Sequence, residues 1–196
     1  MKIVLALAGL LTAAGIAADS AGEDIEGGDA GMVDTESWRR LGNAAWRFDT
    51  FGLEAGPEAV TSFLVSPDVH TDFRLTVEFW IEDDTNSGVF VRCGEIAGVD
   101  DVNPTDCYEV NIYDSHPNQT WRTGSIVTQV TPAAHVETLS RWNRLEIRAA
   151  GSHLEVFVNG TLTAELTDAR AGAGPIALQY AGRGLVRFRK LSIVAL

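Results

Sequence analysis

Residues 73–81 read FRLTVEFWI, and this stretch decides the fold class of the chain. Its apolar residues occupy every second position: Phe73, Leu75, Val77, Phe79 and Ile81. A period of two is typical of a β-strand with one buried face, whereas an amphipathic helix repeats its apolar residues every three or four positions. The stretch therefore predicts a long strand that lies on a hydrophobic core.

Further strands are predicted on both sides of this one, and no amphipathic helix of three turns is found. The predicted strands are 46–54, 60–66, 88–93, 107–114, 145–149, 154–158, 175–180 and 185–194. After the strand 154–158 the chain is predicted to turn over 158–162 through Asn159-Gly160, a strong hairpin signal because both residues tolerate a positive φ. Many short strands separated by turns predict an all-β fold, a sandwich or jelly roll of two antiparallel sheets.

The N-terminal segment of the chain predicts export. Lys2 precedes an apolar run over 3–16, and the small residues Ala17 and Ala18 follow it, so residues 1–18 are expected to be a cleaved signal peptide. The run is shorter than the roughly 20 residues that span a bilayer. Residues 19–35 are predicted to be a flexible acidic linker, and 36–196 a single domain. The protein is therefore expected to be secreted or periplasmic, with no membrane attachment after cleavage.

Charge and cysteine content narrow the function classes further. The net charge of −12 disfavours nucleic acid and anionic membranes as partners. Cys93 and Cys107 are the only cysteines, and an even count in an exported chain favours a disulfide over a zinc site or free thiols. The bridge closes a loop of about 15 residues and is expected to stabilise the fold by on the order of 3 kcal/mol.

Polar residues lie on an apolar strand at 107–114. Glu109 and Asn111 alternate there with Tyr108, Val110 and Ile112, and alternation along 88–93 places Arg92 on the same outer face. A carboxylate, a guanidinium and an amide on rigid strands form a candidate small-molecule site. The alternative is an ordinary solvated face with one cross-strand ion pair, worth under about 1 kcal/mol.

Two loops carry weaker signals. Asp83, Asp84 and Asn86 form a candidate calcium site, although the same composition is common in turns. Asp114 and His116 follow the Glu109 strand and lie within reach of the same rim. No metal site is predicted apart from the possible calcium ion, and no other cofactor is expected.

Seven segments, taken in order, resemble a known family. They are Asp72–Phe79, Asn86–Arg92, Tyr108–Asp114, Trp142-Asn143, Val158–Gly160, Gly174–Gln179 and Val186–Leu191. Together they are similar to the 3-keto-disaccharide hydrolase family, and the similarity spans about residues 38–196. Asn111 stands where the family usually has Gln, and Tyr180–Arg183 stands where it often carries a His.

The resemblance implies a concanavalin A-like jelly roll and cleavage of glycosides already oxidised at C3. A 3-keto group acidifies the C2 proton, so the glycosidic bond can break by elimination, and water addition completes a net hydrolysis. Glu109 is expected to be the base, with Arg92 stabilising the enolate or holding Glu109. Asn111, Gln179 and Trp142 are expected to bind the sugar, the indole by stacking. Asn86, Asp114 and His116 complete the candidate substrate-binding set.

Two alternatives compete with this interpretation. An ordinary glycosidase needs two carboxylates about 5–10 Å apart, and Asn111 removes the acid that a glucanase motif would place two residues after Glu109. A lectin-like domain would bind a carbohydrate on the same concave face without turning it over.

Overall fold

The structure is a computed structural model that describes residues 34–56, 60–168 and 172–196. The predicted signal peptide, 1–18, and the linker up to residue 33 lie outside the described residues. Within the described ranges, no helix is long and apolar enough to cross a membrane.

Twelve strands in the described part of the chain form two antiparallel sheets, which confirms the predicted all-β sandwich. The strands are β1 Arg39–Leu41, β2 Trp46–Asp49, β3 Gly52–Ala55, β4 Thr61–Val65, β5 Phe73–Ile81, β6 Ser87–Val91, β7 Tyr108–Ile112, β8 Asn143–Ala150, β9 His153–Val158, β10 Thr161–Thr167, β11 Ala177–Ala181 and β12 Val186–Ala195. One sheet has the order β1-β4-β11-β6-β7, and the other has β10-β9-β8-β5-β12-β3-β2. Three short 3₁₀ turns, Thr35–Ser37, Val99–Asp101 and Gln119–Trp121, complete the described elements.

Strand β5 lies at the centre of the seven-stranded sheet, between β8 and β12. Its five alternate apolar side chains, Phe73 to Ile81, are almost fully buried, as the period of two predicted. Burying side chains of this size stabilises a fold by about 1.5–3 kcal/mol each. The interior of the sandwich is therefore built around this strand.

The hairpin at Asn159-Gly160 is confirmed, with φ values of 51° and 79°. The predicted strand 46–54 is instead two strands, β2 and β3, which form a hairpin around Thr50 and Phe51. Strand β1 was not predicted, because its three residues show no alternation.

The five-stranded sheet is buried on both faces along β6, β7 and β11. Its inner face packs into the main core, and its outer face carries a second apolar cluster that includes Phe63 and Phe90. The loop between β6 and β7 covers this cluster with Ile96 and Val102. The predicted Cys93–Cys107 disulfide is confirmed and closes this loop at its base.

Residues 124–127 run beside β7 and extend the five-stranded sheet. The backbone N–H of Asn111 donates to the Ser125 carbonyl oxygen (3.1 Å), and that of Val127 donates to the Glu109 carbonyl oxygen (2.9 Å). Ile126 forms an isolated bridge with Val110. The edge of β7 is therefore paired, and the carboxylate-bearing strand is held on both sides.

Candidate functional site

The pairing of β11, β6 and β7 brings Glu109 and Gln179 to one face. Gln179, Gly88 and Asn111 lie side by side across the three strands. Phe90 and Glu109 are partners in the neighbouring row. Since residues two apart along a strand point to the same side, both rows belong to the outer face of the five-stranded sheet.

Gly88 leaves a hollow between the two polar side chains. A Cβ built on Gly88 would lie 3.3 Å from Gln179 Oε1 and 3.5 Å from Glu109 Oε1. Both oxygens therefore border the space that a side chain at this position would fill. The floor of the hollow is strand backbone, with the Val110 carbonyl oxygen 3.2 Å from the same point.

Glu109 is the buried carboxylate of this face, and only 9% of the residue is exposed. In the described ranges, no cation or hydrogen-bond donor contacts its side chain. Burial disfavours the charged form and raises the pKa of Glu109 to about 7. A carboxylate with such a pKa is well matched to accept a proton near neutral pH.

Gln179 contributes an acceptor to the same hollow. The residue is 8% exposed, and its Oε1 atom has no hydrogen-bond partner in the part of the chain that the structure describes. A buried carbonyl oxygen without a partner costs free energy, which a ligand hydroxyl would recover by donating to it. Gln179 Oε1 is therefore an acceptor that is free to receive a hydrogen bond from a ligand.

Arg92 does not pair with Glu109, which corrects the predicted arrangement. Arg92 has a φ of 54°, and this left-handed residue breaks the strand alternation. Cys93 consequently packs in the outer cluster with Phe90, although strict alternation puts them on opposite faces. The Arg92 guanidinium donates to the Thr71 carbonyl oxygen (3.1 Å) and to Asp72 Oδ1 (3.2 Å). It therefore ties the end of β6 to the start of β5.

Asn111 and Asp114 hold the segment that follows β7. The Asn111 side-chain amide donates to the Trp121 carbonyl oxygen, and its Oδ1 accepts from the Ile112 N–H (3.0 Å). Asp114 Oδ2 accepts from the Thr138 N–H (2.9 Å), and Oδ1 lies 3.8 Å from an Arg122 nitrogen. The side chains of Asn111 and Asp114 therefore hold in place the loop that lies beside Glu109.

His116 and Asn86 lie near the ends of β7 and β6. The Asn118 backbone N–H donates to His116 Nδ1 (3.0 Å), and the ring packs edge-on against Tyr113. Asn86 is half-buried, and its carbonyl oxygen accepts from the Ala181 N–H (3.0 Å). Neither side chain contacts Glu109.

Trp142 lies on the opposite side of the sandwich from Glu109, which corrects its predicted place in the same site. The Arg189 guanidinium lies 3.8 Å from the centre of its indole ring. Arg189 also donates to Glu78 Oε2 (2.6 Å) on the outer face of the seven-stranded sheet. Strand periodicity does not reveal which sheet a strand joins, so the sequence could not separate Trp142 from Glu109.

The candidate calcium loop uses its acids for protein contacts. Asp84 Oδ2 accepts from Arg183 (2.5 and 3.0 Å), and Asp83 Oδ1 accepts from the Ser115 hydroxyl (2.9 Å). Across 34–56, 60–168 and 172–196, no three His, Cys, Asp or Glu side chains converge as a metal site.

Residues that sequence analysis missed also build the site. Gly88 shapes the hollow, and Asp72 rather than Glu109 pairs with Arg92. The signal for Gly88 was present, because a glycine inside a strand often marks a close approach of a ligand or another backbone. The partner of Arg92 carried no signal, since it depends on one left-handed residue.

Comparison with solved structures shows the same fold in carbohydrate-active proteins. A candidate glycosyl hydrolase from Parabacteroides distasonis has a TM-score of 0.66 at 24% identity, over 77% of this chain and 90% of its own. The carbohydrate-binding module CBM66 from Bacillus subtilis has 0.59 at 16% identity, over 81% and 95%. The VIP36 exoplasmic/lumenal domain, bound to Ca²⁺ and Man3GlcNAc, has 0.59 at 10% identity, over 81% and 83%.

No curated protein compared with this chain matches it. Residues 29–194, however, match the sequence profile of the 3-keto-alpha-glucoside-1,2-lyase-like domain. The match covers most of the chain and confirms the resemblance drawn from the seven segments. The chain belongs to the 3-keto-alpha-glucoside-1,2-lyase-like family.

Proposed function

We propose that this protein is an exported enzyme that cleaves 3-keto-glycosides, with Glu109 as the base that removes the proton at C2. The observation that carries the proposal is the state of the Glu109 carboxylate. It is buried on β7, which is paired on both sides, its pKa is raised to about 7, and no cation pairs with it in the described ranges. Membership of the family supplies the substrate class.

The chemistry follows from the acidity of the carbon next to a ketone. Glu109 takes the C2 proton, and the C–H electron pair moves into an enolate with the C3 carbonyl. The enolate then expels the aglycone oxygen from C1, which leaves a C1–C2 double bond conjugated with the C3 ketone. The leaving oxygen takes a proton from a water molecule and departs as the free alcohol.

Water can complete a net hydrolysis. Its oxygen adds to C1 of the unsaturated ketone, and a proton returns to C2, which restores a 3-keto sugar. Glu109, protonated in the first step, is placed to return that proton. Gln179 Oε1 would hold a hydroxyl of the same ring through both steps.

Glu109 is a stronger base because its pKa is raised and no cation in the described ranges is paired with it. A carboxylate that is salt-bridged has its pKa lowered and is a weaker base, whereas desolvation strengthens it. The Arg92 guanidinium binds Asp72, so Arg92 has no role at the enolate oxygen in this mechanism. The proposed mechanism therefore depends on Glu109 and does not use Arg92 as its predicted partner.

Sugar binding without turnover is the second candidate. It is supported by the likeness of the fold to a carbohydrate-binding module and to a sugar-bound lectin domain. A binding domain would use the hollow between Gln179 and Glu109 but would have no need for a carboxylate with a pKa near 7. The two candidates therefore differ in what the loss of Glu109 changes.

The test is the release of a chromogenic alcohol from 3-keto-α- and 3-keto-β-glucosides, beside the unoxidised glucosides and with EDTA as a metal control. The proposal predicts release from a keto substrate only, and its loss in Glu109→Gln. Glu82→Gln, which changes an exposed carboxylate on a turn, is the matched control and should retain activity. Full activity in Glu109→Gln would show that another group is the base. Saturable binding of sugar without release from any substrate would favour the lectin-like alternative.

A further inference from the structure

Gly88 occupies a position where the backbone conformation does not require glycine. It lies in β6, paired on both sides, and its φ is not positive. Glycine inside a strand weakens it, because the flexible residue loses more conformational entropy and offers no side chain to pack. Some other reason must therefore favour glycine here.

An alanine at position 88 would be crowded, but a shift of a few tenths of an ångström in its neighbours would admit it. A Cβ on Gly88 would have its nearest atom at 3.2 Å, the carbonyl oxygen of Val110. Gly174 differs, since a Cβ there would lie 1.9 Å from the Cys93 carbonyl oxygen. Packing explains the glycine at 174, whereas at 88 the missing side chain keeps a small volume open between two polar groups.

The chemistry around this volume selects its occupant. Both bordering atoms, Gln179 Oε1 and Glu109 Oε1, are oxygens, and Gln179 Oε1 is a buried acceptor without a partner among the described residues. No cation in the described ranges contacts either one. An anionic group, such as a phosphate or a uronic carboxylate, would meet only acceptors there, whereas a hydroxyl can donate.

We propose that Gly88 and Gln179 form a specificity subsite that admits one unsubstituted hydroxyl of a neutral sugar ring against the β6 backbone, beside Glu109. This inference rests on the proposed function and narrows it. The substrates are neutral glycosides, and those that carry an ether, ester or anionic group at the recognised hydroxyl are excluded.

Gly88→Ala tests the open volume. The added methyl group occupies the hollow, so kcat/KM on the 3-keto-glucoside is expected to fall at least about tenfold, because a ligand group displaced from its hydrogen bond loses about that factor. Gly98→Ala is the matched control, since a Cβ on Gly98 meets nothing within 4 Å. Thermal unfolding of both variants separates a filled subsite from a damaged fold.

Gln179→Met tests the acceptor, since methionine keeps the size of the side chain and removes the amide oxygen. The wild type is compared on the 3-keto-glucoside and its 2-, 4- and 6-deoxy forms. In the wild type, one deoxy form is expected to have a kcat/KM about tenfold lower than that of the parent 3-keto-glucoside. In Gln179→Met, the same deoxy form should show a smaller decrease in kcat/KM or none. Equal ratios in the two proteins, or an unchanged Gly88→Ala variant, would overturn the subsite.

The two proposals fail in different ways. Turnover by the wild type with an unaffected Gly88→Ala variant contradicts the subsite and leaves the function standing. If the wild type releases no alcohol, the proposed function fails, and calorimetry of sugar binding with the same variants decides the subsite. Equal binding by Gly88→Ala and Gly98→Ala, or no binding by the wild type, would then overturn it.

Discussion

The two outer faces of the sandwich differ in the burial and ion pairing of their carboxylates. On the seven-stranded sheet, three partly exposed carboxylates are paired: Glu54 with Arg187, Glu78 with Arg189 and Lys190, and Glu146 with Arg144 and Arg148. On the five-stranded sheet, Glu109 is buried, and its carboxylate has no such partner in the described ranges. An unpaired buried charge is costly, so its presence suggests a use.

The aromatic residues follow the same division. Arg187 and Arg189 lie over the rings of Trp80 and Trp142 on the seven-stranded sheet. On the other face, Phe63 and Phe90 meet edge to face under the disulfide-closed loop, and no cation of the described residues lies over their rings. One face is a solvated surface held by ion pairs and cation–π contacts, and the other carries an apolar cluster covered by a loop. Residue type alone does not distinguish the two faces; burial and pairing do.

Neutralising one carboxylate on each face tests whether the two faces differ in function. Glu109→Gln is expected to lower kcat on a 3-keto-glucoside by about 10²–10⁴, the usual contribution of a general base. Glu78→Gln on the opposite face should leave kcat unchanged. Steady-state kinetics of both variants measures the difference, and equal losses would show that the faces do not differ in function.

The pH dependence of activity should follow the base. Only the deprotonated form of Glu109 accepts a proton, and burial raises its pKa to about 7. We therefore expect kcat/KM to rise with pH and to level off above about 7. A profile already level at pH 5 would point to a carboxylate with an ordinary pKa.

The same pKa makes stability depend on pH. Because the folded pKa of Glu109 lies above its ordinary value of 4.5, the folded state binds more protons than the unfolded state between 4.5 and about 7. Stability from this group is full below that window and falls by roughly 3 kcal/mol as pH rises through it. Urea unfolding at pH 4.5 and 7.5 should show this fall in the wild type and not in Glu109→Gln.

Loss of the disulfide tests the stability of the loop that covers the outer face of the five-stranded sheet. Cys93→Ser with Cys107→Ser is expected to destabilise the protein by about 3 kcal/mol, because the bridge no longer restricts the unfolded chain. The loop it closes packs Ile96 and Val102 over Phe63 and Phe90. Urea unfolding under oxidising conditions measures the loss, and an unchanged midpoint would show that the loop holds its place without the bridge.

The smallest effect is expected on the solvated face. Glu78 contacts Arg189 and Lys190 at 2.6 and 2.9 Å, yet all three side chains are partly exposed. Glu78→Gln should therefore cost less than about 1 kcal/mol, as for other exposed pairs. A larger loss in urea unfolding would mean that this face is more tightly integrated than its exposure suggests.

The long strands were predictable because one physical rule determines them. β5 alternates since one face is buried and the other solvated, and its observed bounds are the predicted ones. β1 was missed because pairing with β4, and not its own three residues, makes it a strand. The same reason explains why the 124–127 segment beside β7 carried no signal.

The site was predictable in part. Glu109 and Gln179 share a face, which agrees with the family resemblance that put them in one site. Arg92 was misplaced because a single positive φ reverses the direction of its side chain. Trp142 was misplaced because strand order, which periodicity does not encode, puts it on the other sheet.

The central claim is that Glu109 is a buried, unpaired carboxyl group with the pKa of a neutral-pH base. A ¹³C NMR titration of the glutamate side-chain carboxyl carbons, with Glu109→Gln to assign the signal, measures this directly. We expect a Glu109 midpoint near 7. A midpoint at or below 4.5, the ordinary value, would mean that Glu109 is solvated or paired in solution and is not the neutral-pH base.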